Sequence, residues 1–387
     1  YNDVMGYSEG DALLKAFARI LEREAPRPVL VARMLADAFL VLFPYKGKGE
    51  LVTYCEAYSR ALNGFIVSRE QNYQLELRSG ICCVEDSDAS DINSLLDRAN
   101  MALKTIKVKG AAQWKFYDHT MRDKLLREKD LEIRMEKALA DGEFLVYIQP
   151  KYWVGTRALA GGEALVRWKS PDQGFLSPGE FIPLFEKNRF IVKLDQFMFT
   201  SVCGLLRQWL DAGIEPRPLS VNVSRMQFHT PDFVERYIRI KSQYAIPDGL
   251  LELEFTESIF FDNVALLSSA VHELRRAGIK CSIDDFGAGY SSLNVLKALP
   301  VSVLKLDGMF FRTAKDDEQA KIVIRNIMRM AGELKMATVA EGVETHEQVA
   351  FLETTGCDII QGYVFARPMP AAEFTELLAG EGGHAER

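Results

Sequence analysis

Lys280–Leu293 reads KCSIDDFGAGYSSL. A short apolar run ends in two adjacent aspartates, Asp284 and Asp285, and a glycine-rich turn follows. Adjacent like charges repel, so they persist where both face water or where a cation sits between them. The surrounding chain bears on which. Upstream lie the strand candidates PLSVNVS and LLELEFTES, each followed by a helix-period segment, near Pro231–Tyr244 and near Val264–Ala277. Downstream, a segment around Ser291–Leu299 leads to VSVLKLD, a helix near Glu318–Leu334, MATVAEGVE, a helix near His346–Thr355, and DIIQGYVF. Strands alternating with helices predict parallel βα units. So many in a row after Phe144 fit an α/β fold of the (β/α)8 barrel type. A doubly wound open sheet is the competitor, but no G-x-G-x-x-G fingerprint follows the first strand.

Each candidate strand ends in polar residues that a strand does not need. GGEALVRW carries Glu163 and Arg167, SVNVS ends in Asn222, and LELEFTE carries Glu254 and Glu257. VLKLD ends in Lys305 and Asp307, TVAEGVE carries Glu341 and Glu344, and DIIQG ends in Gln361. In a parallel barrel the C-terminal strand ends converge on one face, where active sites are built. Asp284 and Asp285 then join Glu163, Glu254 and Asn222 in one acidic cluster. Oxygen ligands of this kind suit hard cations such as Mg2+ or Mn2+. Uncompensated, their mutual repulsion would cost several kcal/mol. The competing reading, a set of solvated loop carboxylates, has to be repeated independently at every strand end. The five histidines are scattered and form no H-E-x-x-H, which argues against a zinc hydrolase. No G-x-S-x-G is present for a nucleophilic serine. Metal-assisted hydrolysis remains, with Lys305 and Arg167 as positive charges better suited to a phosphate than to a sugar.

Composition sets the outer bounds. The 387 residues exceed one ordinary domain, and 48% hydrophobic with 26% charged residues is globular composition. A net charge of −7 gives no expectation of DNA or RNA binding. The six cysteines form no C-x-x-C pair and read as reduced core residues of a cytosolic protein. No apolar run reaches the length of a membrane span. The chain opens at Tyr1, within what reads as a turn, and so is expected to be part of a longer protein. The missing N-terminal portion could carry a sensory or membrane segment. His119–Ala140 is rich in Leu, Lys, Arg and Glu without Gly or Pro, which predicts a charged amphipathic helix. The expected organisation is a first domain over 1–118, a connecting helix over 119–141 and a second domain over 142–387.

From about Leu131 to Pro370 the chain resembles the EAL domain, the cyclic di-GMP phosphodiesterase family. The resemblance is carried by YIQPKY, GGEALVRW (with Glu163-Ala164-Leu165), FLSPGEFIPLFE, SVNVS, LELEFTES, IDDFGAGYSSL, LPVSVLKLD, VAEGVET and QGYVFARPMP. It implies a modified TIM barrel that hydrolyses cyclic di-GMP to linear pGpG with two Mg2+ or Mn2+ ions. By resemblance, Glu163, Asn222, Glu254, Asp284 and Asp285 hold the metals. Lys305 orients or activates the attacking water, and Glu341 binds the second metal or acts with that lysine. Arg167, Leu165 and Gln361 meet the substrate, and Glu257 braces the loop after Asp285. Ala288 stands where the family usually has Thr, and Phe185 where it usually has Ala. Such domains often pair, so a homodimer is implied. Many bind cyclic di-GMP without cleaving it, so a silent receptor signalling through a protein partner is the alternative.

YNDVMGYSEGDALL and LLDRANMALKTIKVKGAAQWKFYD resemble parts of the GGDEF, or diguanylate cyclase, domain. Its signature should follow Arg33, where this chain reads Leu35-Ala36-Asp37-Ala38-Phe39. Both glycines and the acidic fourth residue are replaced. Glycine lets backbone approach phosphate closely, which Leu and Ala side chains obstruct, and Ala38 cannot bind metal. The R-x-x-D product-inhibition motif is also absent, Pro26 and Val29 occupying its places. A degenerate, regulatory domain is expected. Asn2 and Asp11 match the family's guanine-reading positions and are candidates to bind GTP. The competing reading has Asn2 capping a turn and Asp11 capping the following helix.

Overall fold

The computed structural model describes residues 5–23, 28–68, 75–84, 91–106, 113–257, 259, 264–287, 300–313 and 317–382. The chain divides into two compact units, residues 1–127 and 128–387, with the division inside the helix His119–Ala140.

In the second unit eight strands close into a barrel: β1 (Phe144–Trp153), β2 (Leu159–Ser170), β3 (Leu219–Asn222), β4 (Leu251–Thr256), β5 (Lys280–Phe286), β6 (Val303–Leu306), β7 (Ala337–Ala340) and β8 (Ile359–Ile360). From β2 to β8 each strand runs parallel to the next. β1 closes the ring and is antiparallel to both neighbours, β2 and β8. That departs from an all-parallel alternation. The link from β1 to β2 is a short turn, and a crossover helix needs a dozen or more residues, so a hairpin is the only available connection.

The alternation of side chains along each strand builds two environments. Leu219, Val221, Leu251, Leu253, Phe255, Cys281, Ile283, Leu304 and Leu306 point outward into the main hydrophobic core. There they meet helices such as Ile191–Asp211, Phe233–Gln243 and Glu318–Glu333. Ser220, Glu252, Glu254, Ser282, Asp284 and Lys305 occupy the intervening positions, face the lumen and are nevertheless buried. Gly162 on β2 is required by close packing, since a Cβ there would stand 2.4 Å from the Ile148 side chain of β1. A second cluster, built on Phe144, Trp168, Phe181 and Phe185, packs β1 and β2 against the helix Pro178–Lys187. Phe185, which departs from the resembled pattern, is fully buried among these rings.

The first unit holds the helices Tyr7–Arg23, Lys48–Val67 and Ile92–Lys104, the antiparallel hairpin Leu30–Leu35/Ala38–Leu42, and a parallel pair, Ser79–Ile81 with Trp114–Phe116. Leu13, Phe17, Leu21, Tyr58, Leu62 and Ile66 form its core. All six cysteines are unpaired thiols. No helix among the described residues is long and apolar enough to cross a membrane.

Candidate active site at the barrel mouth

The β5 stretch answers why two aspartates adjoin. In a regular strand Asp284 would face the lumen and Asp285 the helices. Here the pairing register of β5 with β6 shifts between Ile283 and Phe286, and Asp285 takes a left-handed backbone, φ 54°. This bulge breaks the alternation and re-aims a side chain. One carboxylate oxygen each from Asp284, Asp285 and Glu341 then lie within 4.8 Å of one another. The Asp284 carboxylate accepts the Asp285 backbone N–H at 2.9 Å, which helps hold the strained residue. Two residues on, the Gly287 N–H donates to Glu257 Oε2 at 3.2 Å. Gly287 is itself left-handed, φ 92°, and a Cβ there would stand 2.2 Å from the Phe310 ring.

Lys305 is the centre of the cluster. Its ammonium lies 2.5 Å from Glu254 Oε2, 2.5 Å from Glu341 Oε1, 3.1 Å from Asp284 Oδ1 and 3.5 Å from Glu163 Oε2. No part of Lys305 is exposed. Glu163 is gripped from two sides: Asn222 Nδ2 donates to its Oε1 at 2.6 Å and Gln361 Nε2 to its Oε2 at 2.6 Å. Gln361 also donates to Gln149 Oε1 at 3.2 Å. The structure therefore brings Glu163, Asn222, Glu254, Asp284, Asp285, Lys305, Glu341 and Gln361 together. Leu165 and Arg167 follow Glu163 at two-residue intervals on β2, and so on its lumen face but nearer the mouth.

Lys151, Ser220 and Gln149 also meet at this centre, though none stands at a strand end in the sequence. Lys151 Nζ, buried on β1, donates to Glu254 Oε1 at 2.9 Å and to Ser220 Oγ at 2.7 Å. Gln149 supplies the acceptor for Gln361. Lys151 stands 103 positions from Glu254 in the chain. A charged residue inside a strand, between Pro150 and Tyr152, is the clue that could have exposed it.

Burial works to raise every carboxyl here, and neighbours decide the outcome. Glu254 is desolvated, but its two lysines outweigh that and bring it down to about 2. Glu341 goes well above the ordinary range through burial and the nearby Asp284, Glu163 and Glu254 charges, despite Lys305. Asp284 and Glu163 are raised, first by burial, against the pull of Lys305. Asp285 is raised by burial and then by Asp307. Burial lowers Lys305, but four surrounding carboxylates hold it well above its usual value. Five carboxylates thus share two lysines, Lys151 and Lys305, and a divalent cation would relieve the excess. The donors are all oxygen, which fits a hard cation. Among the described residues no donor meets the buried Gln361 Oε1.

The order of these elements and residues matches one family along most of the barrel. Residues 133–368 match the EAL domain, and residues 1–113 match the diguanylate cyclase, GGDEF domain. The chain belongs to the EAL domain family. A bifunctional diguanylate cyclase/cyclic di-GMP phosphodiesterase, MucR of Pseudomonas aeruginosa, is 30% identical over 98% of this chain and 55% of its own length. The cyclic di-GMP phosphodiesterase NbdA of the same organism is 31% identical over 97% of this chain and 48% of its own. The chain spans about half the length of the curated relatives it matches. Among solved structures, the PaMucR phosphodiesterase in complex with c-di-GMP is 35% identical, with TM-score 0.60 over 63% of this chain and 99% of that one. The EAL enzyme Bd1971, bound to cAMP and cyclic di-GMP, is 29% identical, with TM-score 0.62 over 76% of this chain and 78% of that one.

The GGDEF match carries the second set of candidates. Asn2 and Ala288 lie outside the described residues. Asp11 is exposed on the helix Tyr7–Arg23. It is the fifth residue of that helix, so it does not cap it. Ala36 and Asp37 form the tip of the hairpin, where Ala36 is left-handed at φ 49° and Arg33 donates to its carbonyl at 2.9 and 2.7 Å.

Proposed function

We propose that the EAL barrel hydrolyses cyclic di-GMP to linear pGpG, using two Mg2+ or Mn2+ ions. The observation that carries this is the bulge that turns both Asp284 and Asp285 toward Glu341 around a buried lysine. Asp284, Asp285, Glu341, Glu163, Glu254 and Asn222 would hold the metals. Bound cations would lower the pKa of a water and neutralise phosphate charge in an in-line displacement. Lys305 remains an ammonium, so it orients the attacking water as a hydrogen-bond donor and does not take its proton. Glu341, beside Lys305, accepts that proton. The water oxygen bonds to phosphorus, one ester P–O bond breaks, the departing sugar oxygen takes up a proton from bulk water, and the ring opens to pGpG. Arg167, with Leu165 beside it on β2, binds the substrate phosphate, and Gln361 holds Glu163 in register. Glu257 braces the turn through Gly287.

The GGDEF unit is regulatory and makes no cyclic di-GMP in this proposal. Its signature hairpin carries Leu35, Ala36 and Ala38 where phosphate approach and metal binding need glycine and a carboxylate. GTP at Asn2 and Asp11 is the candidate regulator.

The test is to incubate the chain with cyclic di-GMP and Mn2+ or Mg2+ and to follow pGpG, with Glu163→Gln as control. Product from the parent alone is expected. Cyclic di-GMP bound but never cleaved would overturn the hydrolase and leave a receptor that acts through a protein partner.

A further inference from the structure

β2 is long. It continues past the metal-site level of Glu163 for seven more residues and folds back through a hairpin onto Gly174–Leu176. Alternation puts Glu163, Leu165, Arg167 and Lys169 on one face. Residues directly paired across strands share a face, so Tyr147, opposite Leu165, and Phe175, opposite Lys169, belong to it too. The opposite face carries Trp168 and Leu176, which are sealed in the second hydrophobic cluster. A wall therefore rises from the metal cluster out over the barrel mouth. At about 3.3 Å per residue it extends roughly 20 Å from Glu163 to Lys169.

The upper part of this wall is an aromatic and cationic ladder. The Arg167 guanidinium lies 5.5 Å from the centre of the Tyr147 ring. Tyr147 meets Phe175 edge to face, with centroids 6.0 Å apart, and the Lys169 ammonium is 5.9 Å from the Phe175 ring. Phe175 is 54% exposed. A large ring left half in water, beside two cations and on the face that leads to the carboxylates, is poorly explained as core packing. It suits a ligand with a flat π-system next to a phosphate, because bases stack on aromatic and guanidinium planes.

We infer that Phe175 and Tyr147 form a stacking platform for one purine base of the dinucleotide whose phosphate meets Arg167. This rests on the phosphodiesterase proposal for the identity of the substrate. Stacking accepts any base, so the platform sets affinity and orientation, and other contacts set base identity.

The experiment uses the whole chain as parent, Phe175→Ala and Phe175→Trp. Affinity for cyclic di-GMP is measured by calorimetry in EDTA, where no turnover interferes, and KM and kcat are then measured with Mn2+. Phe175→Ala should weaken binding at least about five-fold and raise KM more than it lowers kcat, and Phe175→Trp should restore both. An unchanged dissociation constant in Phe175→Ala, or no recovery in Phe175→Trp, overturns the platform. Binding that weakens in Phe175→Ala although the parent never produces pGpG supports the platform and defeats the hydrolase alone. Turnover by the parent with identical constants in Phe175→Ala does the reverse.

Discussion

The barrel mouth and the tip of the Leu30–Leu42 hairpin each contain one non-glycine residue in a left-handed backbone, Asp285 and Ala36. At Asp285 the strain is matched by a return. The bulge draws its carboxylate into a cluster with Asp284 and Glu341, and the Asp284 carboxylate holds its N–H. At Ala36 the strained residue presents a methyl group, and the flanking Leu35 is 80% exposed. Both regions match families concerned with the same nucleotide. A strained backbone by itself says little about function; strain that aims buried, mutually repelling side chains at one point says a good deal.

The largest effect that would break the contrast concerns Lys305. Lys305→Met keeps the stem but removes the cation from among four carboxylates. Without metal, it should destabilise the chain by about 3–5 kcal/mol, since removing one partner strands buried charge. Turnover should fall at least about 100-fold. Urea denaturation in EDTA reads the first effect and pGpG release the second. A variant as stable as the parent would mean that Lys305 does not compensate the cluster.

Asp195 is a buried carboxyl that, among the described residues, has no lysine paired with it. It accepts from Ser224 N–H at 3.0 Å and Gln227 Nε2 at 3.1 Å, and burial pushes it up to about 7. The unfolded chain releases this proton near 4. Between about pH 4 and 7 the folded state therefore holds more protons, and stability from this group falls as pH rises. The loss is on the order of a few kcal/mol once both states are ionised. Asp195→Asn should remove that slope, so the variant gains on the parent as pH goes from 5 to 8 in urea titrations. Parallel pH profiles for the two would show that Asp195 titrates normally.

How much of this is legible in sequence follows the same physics. A polar residue where an apolar strand ends is an anomaly that one segment can reveal, and so Glu163, Asn222, Glu254, Lys305 and Gln361 could be read off one by one. The barrel itself was legible from alternation. The reversal of β1 was not, because direction is set by the short β1–β2 turn. The Asp285 bulge was hidden because the sequence carries no mark for a left-handed aspartate. Lys151 was hidden because its partners on β3 and β4 are distant in the chain.

The smallest effect lies at the hairpin. Ala36→Gly should stabilise the chain by roughly 0.5–1 kcal/mol by relieving the left-handed alanine, less what glycine adds to unfolded-state entropy. Adding Ala38→Glu should still yield no cyclic di-GMP from GTP. Product from that double variant would show that the hairpin retains a cyclase site.

The most direct test of the central claim is the Mn2+ binding isotherm of the whole chain, measured by calorimetry for parent and Asp285→Asn at pH 8. The parent should bind, with affinity falling as pH is lowered because the raised Asp284, Asp285 and Glu341 carboxyls take up protons. Asp285→Asn should bind at least about ten-fold more weakly. Identical isotherms for the two proteins would contradict the assignment of the bulged aspartate pair as a metal site.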